Sequence, residues 1–204
     1  MLSVLSKSLL LIVALFGAPA MAATILVMGD SLSAGYGLAK GEGWVDLLQK
    51  RVAKSHDVIN ASVSGETSAG GVARLPQLLN KHHPDIVLLE LGANDGLRGL
   101  QLTATQNNLQ RMMEQVTDSG AKLVLIGVQI PPNYGRLYQK KFSQMYQDLA
   151  KDHLASFVPF LLEKVANRRD LFQADGLHPI AKAQPLLLDT VWPVLKKVIG
   201  KKGS

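Results

Sequence analysis

Residues 24–33 read Thr-Ile-Leu-Val-Met-Gly-Asp-Ser-Leu-Ser, a run fit for a buried strand followed at once by a glycine, a carboxylate and two hydroxyls. A strand that is apolar without alternation is covered on both faces, as strands of a parallel sheet are. Three further runs of this kind follow at Val58 to Ile59, Ile86 to Leu91 and Leu123 to Val128, with a short fifth at Phe157 to Val158. The segments between them carry helical spacing, as in Leu109, Met112, Met113 and Val116, then Phe142, Met145, Tyr146 and Leu149, then Leu188, Val191, Leu195 and Ile199. Regular alternation of strand and helix, with right-handed crossovers, predicts a flavodoxin-like five-stranded parallel sheet inside a three-layer α/β/α sandwich. Gly120 and Pro131-Pro132 punctuate these elements. Pro179 stands where the last helix is expected to start, and Pro193 is expected to kink or divide that helix.

The chain has 204 residues, 47% of them hydrophobic, which is material for one domain with a substantial core. A basic start up to Lys7, an apolar core from Leu9 to Phe16, and Gly17 and Pro19 ahead of Ala20-Met21-Ala22 have the order of a secretory signal peptide. Residues 1–22 are therefore expected to be removed, leaving a single domain at 23–204 that acts in the periplasm or outside the cell. The apolar stretch is shorter than the roughly 20 residues that span a bilayer. With no cysteine, the chain can form neither a disulfide nor a cysteine-linked lipid anchor. A net charge of +6, with pairs at Lys140-Lys141, Lys196-Lys197 and Lys201-Lys202, is compatible with transient contact with an anionic membrane surface, although a solvated face is the simpler reading. No aromatic residues interleave the lysines, so a nucleic-acid platform is not expected. A monomer is expected.

In an open parallel sheet, ligands bind beyond the carboxyl ends of the strands, where strand order reverses. With the order 2-1-3-4-5, that point lies between strands one and three. Strand one ends in Gly29-Asp30-Ser31-Leu32-Ser33 and strand three in Gly92-Ala93-Asn94-Asp95, so two polar, glycine-flanked motifs converge there. A serine hydroxyl becomes a nucleophile when a base takes its proton, and the base needs a third group to hold its tautomer. Asp175-Gly176-Leu177-His178-Pro179 offers both within one turn: Asp175 can fold back on His178 Nδ1 and leave Nε2 to Ser31. If Pro179 opened a helix, His178 would sit at its positive end, which disfavours the imidazolium. Oxyanion donors are available in the N–H of Ser31, the N–H of Gly65 and the side-chain amide of Asn94. The strand-turn-helix elbow of α/β-hydrolases does not apply, because the second glycine of G-x-S-x-G is missing.

Gly29-Asp30-Ser31-Leu32-Ser33, Gly65, Gly92-x-Asn94-Asp95 and Asp175-x-x-His178 resemble the four sequence blocks of the SGNH/GDSL hydrolases, in their usual order. Ala73-Arg74-Leu75-Pro76, Glu90 to Gly99 and Asn133-Tyr134-Gly135 extend the resemblance to the bacterial multifunctional thioesterase/protease/lysophospholipase branch of that family. It implies Ser31 as nucleophile and oxyanion donor, Gly65 and Asn94 as the other donors, and Asp175 and His178 as triad partners. It further implies hydrolysis of carboxylic or fatty-acyl esters and thioesters, lysophospholipids included, without a cofactor. Ile180 departs from the family, which often carries a polar residue after the His-Pro pair. Two other functions fit the same motifs: a deacetylating esterase for cell-envelope carbohydrate, and a periplasmic lipid-binding protein without activity.

The loop from Gly96 to Gln101 holds two glycines and two leucines just after Asn94. It is expected to form a mobile apolar lid over an acyl chain, with Leu97 and Leu100 as contacts and Ile130, Pro131 and Tyr134 as the opposite wall; a purely structural turn is the alternative. Asp30 and Asp95 are read as loop hydrogen-bonding residues, and Glu66 and Thr67 as caps of the helix that follows. His56, His82 and His83 lack the spacing of a metal pair, so no metal is expected.

Overall fold

The computed structural model describes residues 23–200. The expected leader and Lys201-Lys202 lie outside these residues. Five parallel strands, β1 (Ala23–Gly29), β2 (His56–Asn60), β3 (Ile86–Glu90), β4 (Lys122–Ile126) and β5 (Ser156–Val158), pair in the order β2-β1-β3-β4-β5. This is the predicted doubly wound sheet. Alternate residues of each strand feed two cores. Ile25, Val27, Leu88 and Val124 pack with α2 (Trp44–Val52) and α7 (Gln184–Gly200). Leu26, Met28, Leu89 and Leu125 pack with α3 (Ser68–His82), α5 (Leu102–Asp118) and α6 (Arg136–Asp152). Each such buried aliphatic side chain contributes about 1.5–3 kcal/mol of transfer free energy, which is how a cysteine-free domain holds together.

The two-faced packing also creates the crevice. After β1 the chain passes through α1 (Ser31–Ala34) to α2 on one face, whereas after β3 it passes through α4 (Ala93–Leu97) to α5 on the other. Register aligns Gly29 with Glu90, so Ser31 and Asn94 leave adjacent strands on diverging paths.

Three local expectations change. Pro179 does not open a helix; it forms an isolated antiparallel bridge with Phe172, a 3₁₀ turn follows at Ala181–Ala183, and α7 begins at Gln184. His178 therefore has no long helix behind it whose dipole could act on the imidazole. Of the two outcomes expected at Pro193, division does not occur: α7 runs through it to Gly200. The Gly96–Gln101 segment is tied down instead of free: Gly96 is buried and already helical, Arg98 donates to Gly65 O (2.9 Å), Tyr134 Oη donates to Leu97 O (3.2 Å), and Leu100 N donates to Asp95 O (2.9 Å).

Candidate active site

Ser31 is the first residue of α1, whose N-terminus is capped by the Asp30 carboxylate accepting from Leu32 N (3.0 Å). At that position the Ser31 N–H has no partner within the helix. Gly29 is required just before it, because a Cβ there would lie 2.7 Å from Ser33 Cβ and 2.8 Å from Glu90 Oε2. The long connection between β5 and α7 brings in the imidazole. Asp175 Oδ1 accepts from Leu177 N (2.9 Å) and His178 N (3.0 Å), winding the three-residue turn that aims Oδ2 at His178 Nδ1 (2.6 Å). His178 Nε2 lies 2.8 Å from Ser31 Oγ. The hydrogen bonds from His178 hold the Asp175 carboxyl down at about 2, so it is ionised at any physiological pH and fixes the Nδ1–H tautomer. Gln173 braces the turn by donating from N to His178 O (2.8 Å) and from Nε2 to Tyr36 O (2.8 Å), while the Tyr36 ring packs against the imidazole with centroids 4.5 Å apart.

The residues of the expected oxyanion donors, Ser31, Gly65 and Asn94, line one groove. Gly65 adopts φ +79°, a left-handed conformation that glycine takes without strain, and its N–H has no partner among the described residues. Its loop is clamped by Arg98 on Gly65 O and by Arg74, which pairs with Glu66 (2.6 Å) and donates to Ala61 O (3.0 Å). Both hydrogens of Asn94 Nδ2 are engaged, one with Asp30 Oδ2 (3.1 Å) and one with Glu66 O (2.9 Å).

Behind Ser31 lies an acidic cluster that the sequence reading left as loop hydrogen bonding or did not notice. Asp30, Glu90 and Asp95 are all buried. Glu90 Oε2 accepts from Ser33 Oγ (2.7 Å) and from Asp30 N (3.4 Å), while Oε1 has no partner. Burial, then the nearby Asp30 charge, pushes the Glu90 carboxyl well above its ordinary range, which favours its neutral form. Burial raises Asp30 to about 6; the Leu32 N–H, the proximity of His178 and the Asn94 amide act against that rise. Asp95 accepts from Ser68 N (2.8 Å), Ser68 Oγ and Thr105 Oγ1, tying α3 and α5 to α4. Glu90 was hidden because it ends a strand whose other members are apolar.

A groove of about 630 Å³ opens over Ser31 and His178. Leu97, Ile130 and Pro131 line it, as the sequence led us to expect, whereas Leu100 and Tyr134 are not among its lining residues. Leu100 is exposed, and Tyr134 acts on the wall indirectly through Leu97. Phe160, Leu162, Phe172 and Leu177, which the sequence motifs do not single out, also line the groove. Phe160-Leu161-Leu162, one residue beyond β5, was the available signal. Among the described residues no three His, Cys, Asp or Glu side chains assemble as metal ligands would.

An imidazole set between a serine hydroxyl and a carboxylate, at the switch point of a parallel sheet and beside an apolar groove, is suited to attack on an acyl group. Residues 27–184 match the model of the GDSL-like lipase/acylhydrolase family, and the chain belongs to that family of ester hydrolases. It is 50% identical over 183 residues to Esterase TesA of Pseudomonas aeruginosa, an alignment covering 88% of this chain and 91% of that one. It is 42% identical over 180 residues to the thioesterase 1/protease 1/lysophospholipase L1 of Escherichia coli K12, covering 88% and 86% of the two chains. A crystal structure of TesA superposes with a TM-score of 0.83 at 50% identity, covering 86% of this chain and 99% of the other.

Proposed function

We propose that Ser31, His178 and Asp175 hydrolyse fatty-acyl esters and thioesters, lysophospholipids among them, through an acyl-enzyme. The observation that carries this reading is the 2.8 Å contact from Ser31 Oγ to His178 Nε2, backed by the 2.6 Å contact from Nδ1 to an ionised Asp175. As Oγ attacks the carbonyl carbon, its proton passes to Nε2 and the carbonyl π electrons move onto oxygen. The Ser31 and Gly65 N–H groups meet that oxyanion, and one Asn94 hydrogen turns to it from its resting partner. The tetrahedral intermediate collapses, the C–O or C–S bond breaks, and His178 returns the proton to the leaving alkoxide or thiolate. Water then attacks the acyl-enzyme with His178 taking its proton, and the second tetrahedral intermediate breaks the bond to Ser31 Oγ, which regains a proton from His178 as the free acid leaves. Ser31, His178 and water account for every proton and electron pair, so no cofactor enters the mechanism. The apolar walls favour a fatty-acyl chain over an acetyl group.

The order of basic, apolar and small residues in 1–22 supports export after cleavage behind Ala22, and N-terminal sequencing of the exported protein is expected to begin at Ala23. The central experiment compares the mature protein with Ser31→Ala on short and long p-nitrophenyl esters, an acyl-thioester and a lysophospholipid. A fall in kcat of at least about 10⁴-fold is expected for every substrate turned over. Undiminished hydrolysis by Ser31→Ala would overturn the proposal.

A further inference from the structure

The exposed large apolar side chains collect at one end of the molecule. Seven occur among the described residues, and six of them, Tyr36, Val63, Leu100, Tyr134, Leu137 and Leu177, lie in the segments that follow the five strands. Every connection at the carboxyl edge of the sheet therefore presents at least one. The seventh, Leu154, precedes β5 at the opposite edge. Isolated exposed leucines are ordinary on a soluble protein, but a one-sided distribution of this kind marks an interaction surface. The set also borders the groove: Tyr36 and Leu177 line it, and Tyr134 is bonded to Leu97 of its wall.

Next to β3 and β4 the charge at this edge has one sign, while the exposed Glu42 and Asp175 stand on the connections that follow β1 and β5. Residues 96–113 and 123–147 contain no aspartate or glutamate. Within them Arg98 follows α4, and Arg136, Lys140 and Lys141 occupy the first turns of α6, all exposed. Long basic side chains beside exposed leucine and tyrosine form the combination that seats a protein on a lipid–water interface, with rings and leucines entering the headgroup layer and cations meeting phosphates.

We propose that the carboxyl edge is a docking face for an anionic phospholipid surface, which places the mouth of the groove against the membrane. This rests on reading the groove as a fatty-acyl ester site, and it names the source of the substrate: a lysophospholipid or acyl ester passes from the lipid layer into an apolar groove without exposing its chain to water.

The test separates docking from chemistry. Ser31→Ala, which leaves vesicle lipid intact, is co-sedimented with vesicles of phosphatidylcholine alone or mixed with phosphatidylglycerol. Partitioning onto the anionic vesicles is expected to be at least about tenfold stronger and to weaken in high salt, since each cation at such a surface is worth roughly fivefold. In the same background, Leu137→Glu and the double change Lys140→Glu with Lys141→Glu are each expected to weaken it about tenfold or more. With Ser31 restored, these variants should hydrolyse vesicle-borne lysophospholipid about tenfold more slowly while keeping rates on soluble p-nitrophenyl butyrate within about twofold, because neither site touches the groove chemistry. Equal partitioning onto neutral and anionic vesicles, or binding that neither substitution moves, overturns the docking face. Failure of the wild-type chain to turn over the soluble ester overturns the acyl-ester reading instead, whatever the vesicles show. Matching thermal melts establish that the variants are folded.

Discussion

Two sets of carboxylates flank Ser31, and they are built in opposite ways. In front, Asp175 sits on an open turn with its side chain 38% exposed, and three hydrogen bonds from residues two and three positions away hold its carboxyl near 2. Behind, Asp30 and Glu90 are buried 60 positions apart in sequence, and loss of solvent drives both carboxyls upward. Local hydrogen bonding makes a permanent anion; burial disfavours the charged form of each member of the pair. The front carboxylate is arranged to orient the base and stabilise the imidazolium, whereas the rear pair supports the nucleophile turn and the Asn94 amide. The charge state of each follows from its surroundings, since all three are ordinary carboxyl groups in water.

Removing the front set should have the largest effect. His178→Ala deletes the base and is expected to lower kcat by at least about 10⁴-fold with the melting temperature little changed, read by steady-state assay and calorimetry. Asp175→Asn keeps the shape of the turn but removes the anion that fixes the tautomer, and a loss of about 10³–10⁴-fold is expected. Any contribution of Asp175 to stability is present above its ordinary pKa and lost as pH falls toward 2, and solvent screening at this exposed turn keeps it small. A rate for Asp175→Asn within tenfold of wild type would erase the distinction between the two sets.

The same contrast explains what could be read in the sequence. The front set was legible because an Asp-x-x-His turn is local: the spacing itself specifies which atoms meet. The central strands were legible because burial on both faces writes a continuous apolar run. The edge strand β2 was cut short to Val58–Ile59 because His56, Asp57 and Asn60, at the sheet's open edge, carry no apolar signal. The start of the last helix was misplaced at Pro179, which the fold uses for a bridge to Phe172; Pro185, second in α7, was the proline that marked it. Glu90 was invisible because its role depends on the alignment of β1 with β3, a tertiary fact that no spacing encodes.

Asp30→Asn probes the rear set with its cap preserved, since asparagine serves an N-terminus as well as aspartate does. The ordinary value is 3.8 and the folded value about 6, so between those limits the native state holds more protons than the unfolded chain. Stability conferred by this group therefore falls as pH rises through that window, by on the order of 2–3 kcal/mol in total. Denaturant melts of the variant should lack this fall, so its stability relative to wild type should climb between about pH 4 and 7. Its kcat should drop about tenfold, because the Asn94 amide loses the carboxylate that orients it and the imidazolium loses a nearby anion. A parallel pair of pH–stability curves would remove the claim that Asp30 titrates in this range.

Glu90→Gln should have the smallest effect, and the contrast is sharpest there. If Glu90 carries a proton at neutral pH, the amide replaces one neutral group with another of the same shape. The glutamine carbonyl can still accept from Ser33 Oγ and Asp30 N, as Oε2 does now, and the amide nitrogen takes the place of the unpartnered Oε1. Activity is then expected within about threefold of wild type and stability at pH 7 within about 1–2 kcal/mol. An ionised Glu90 predicts otherwise, because removing a buried charge whose hydrogen bonds were built for an anion moves stability by several kcal/mol. A shift above about 3 kcal/mol at pH 7, measured by denaturant titration, would mean that the proton is absent and that burial alone does not set the rear pair.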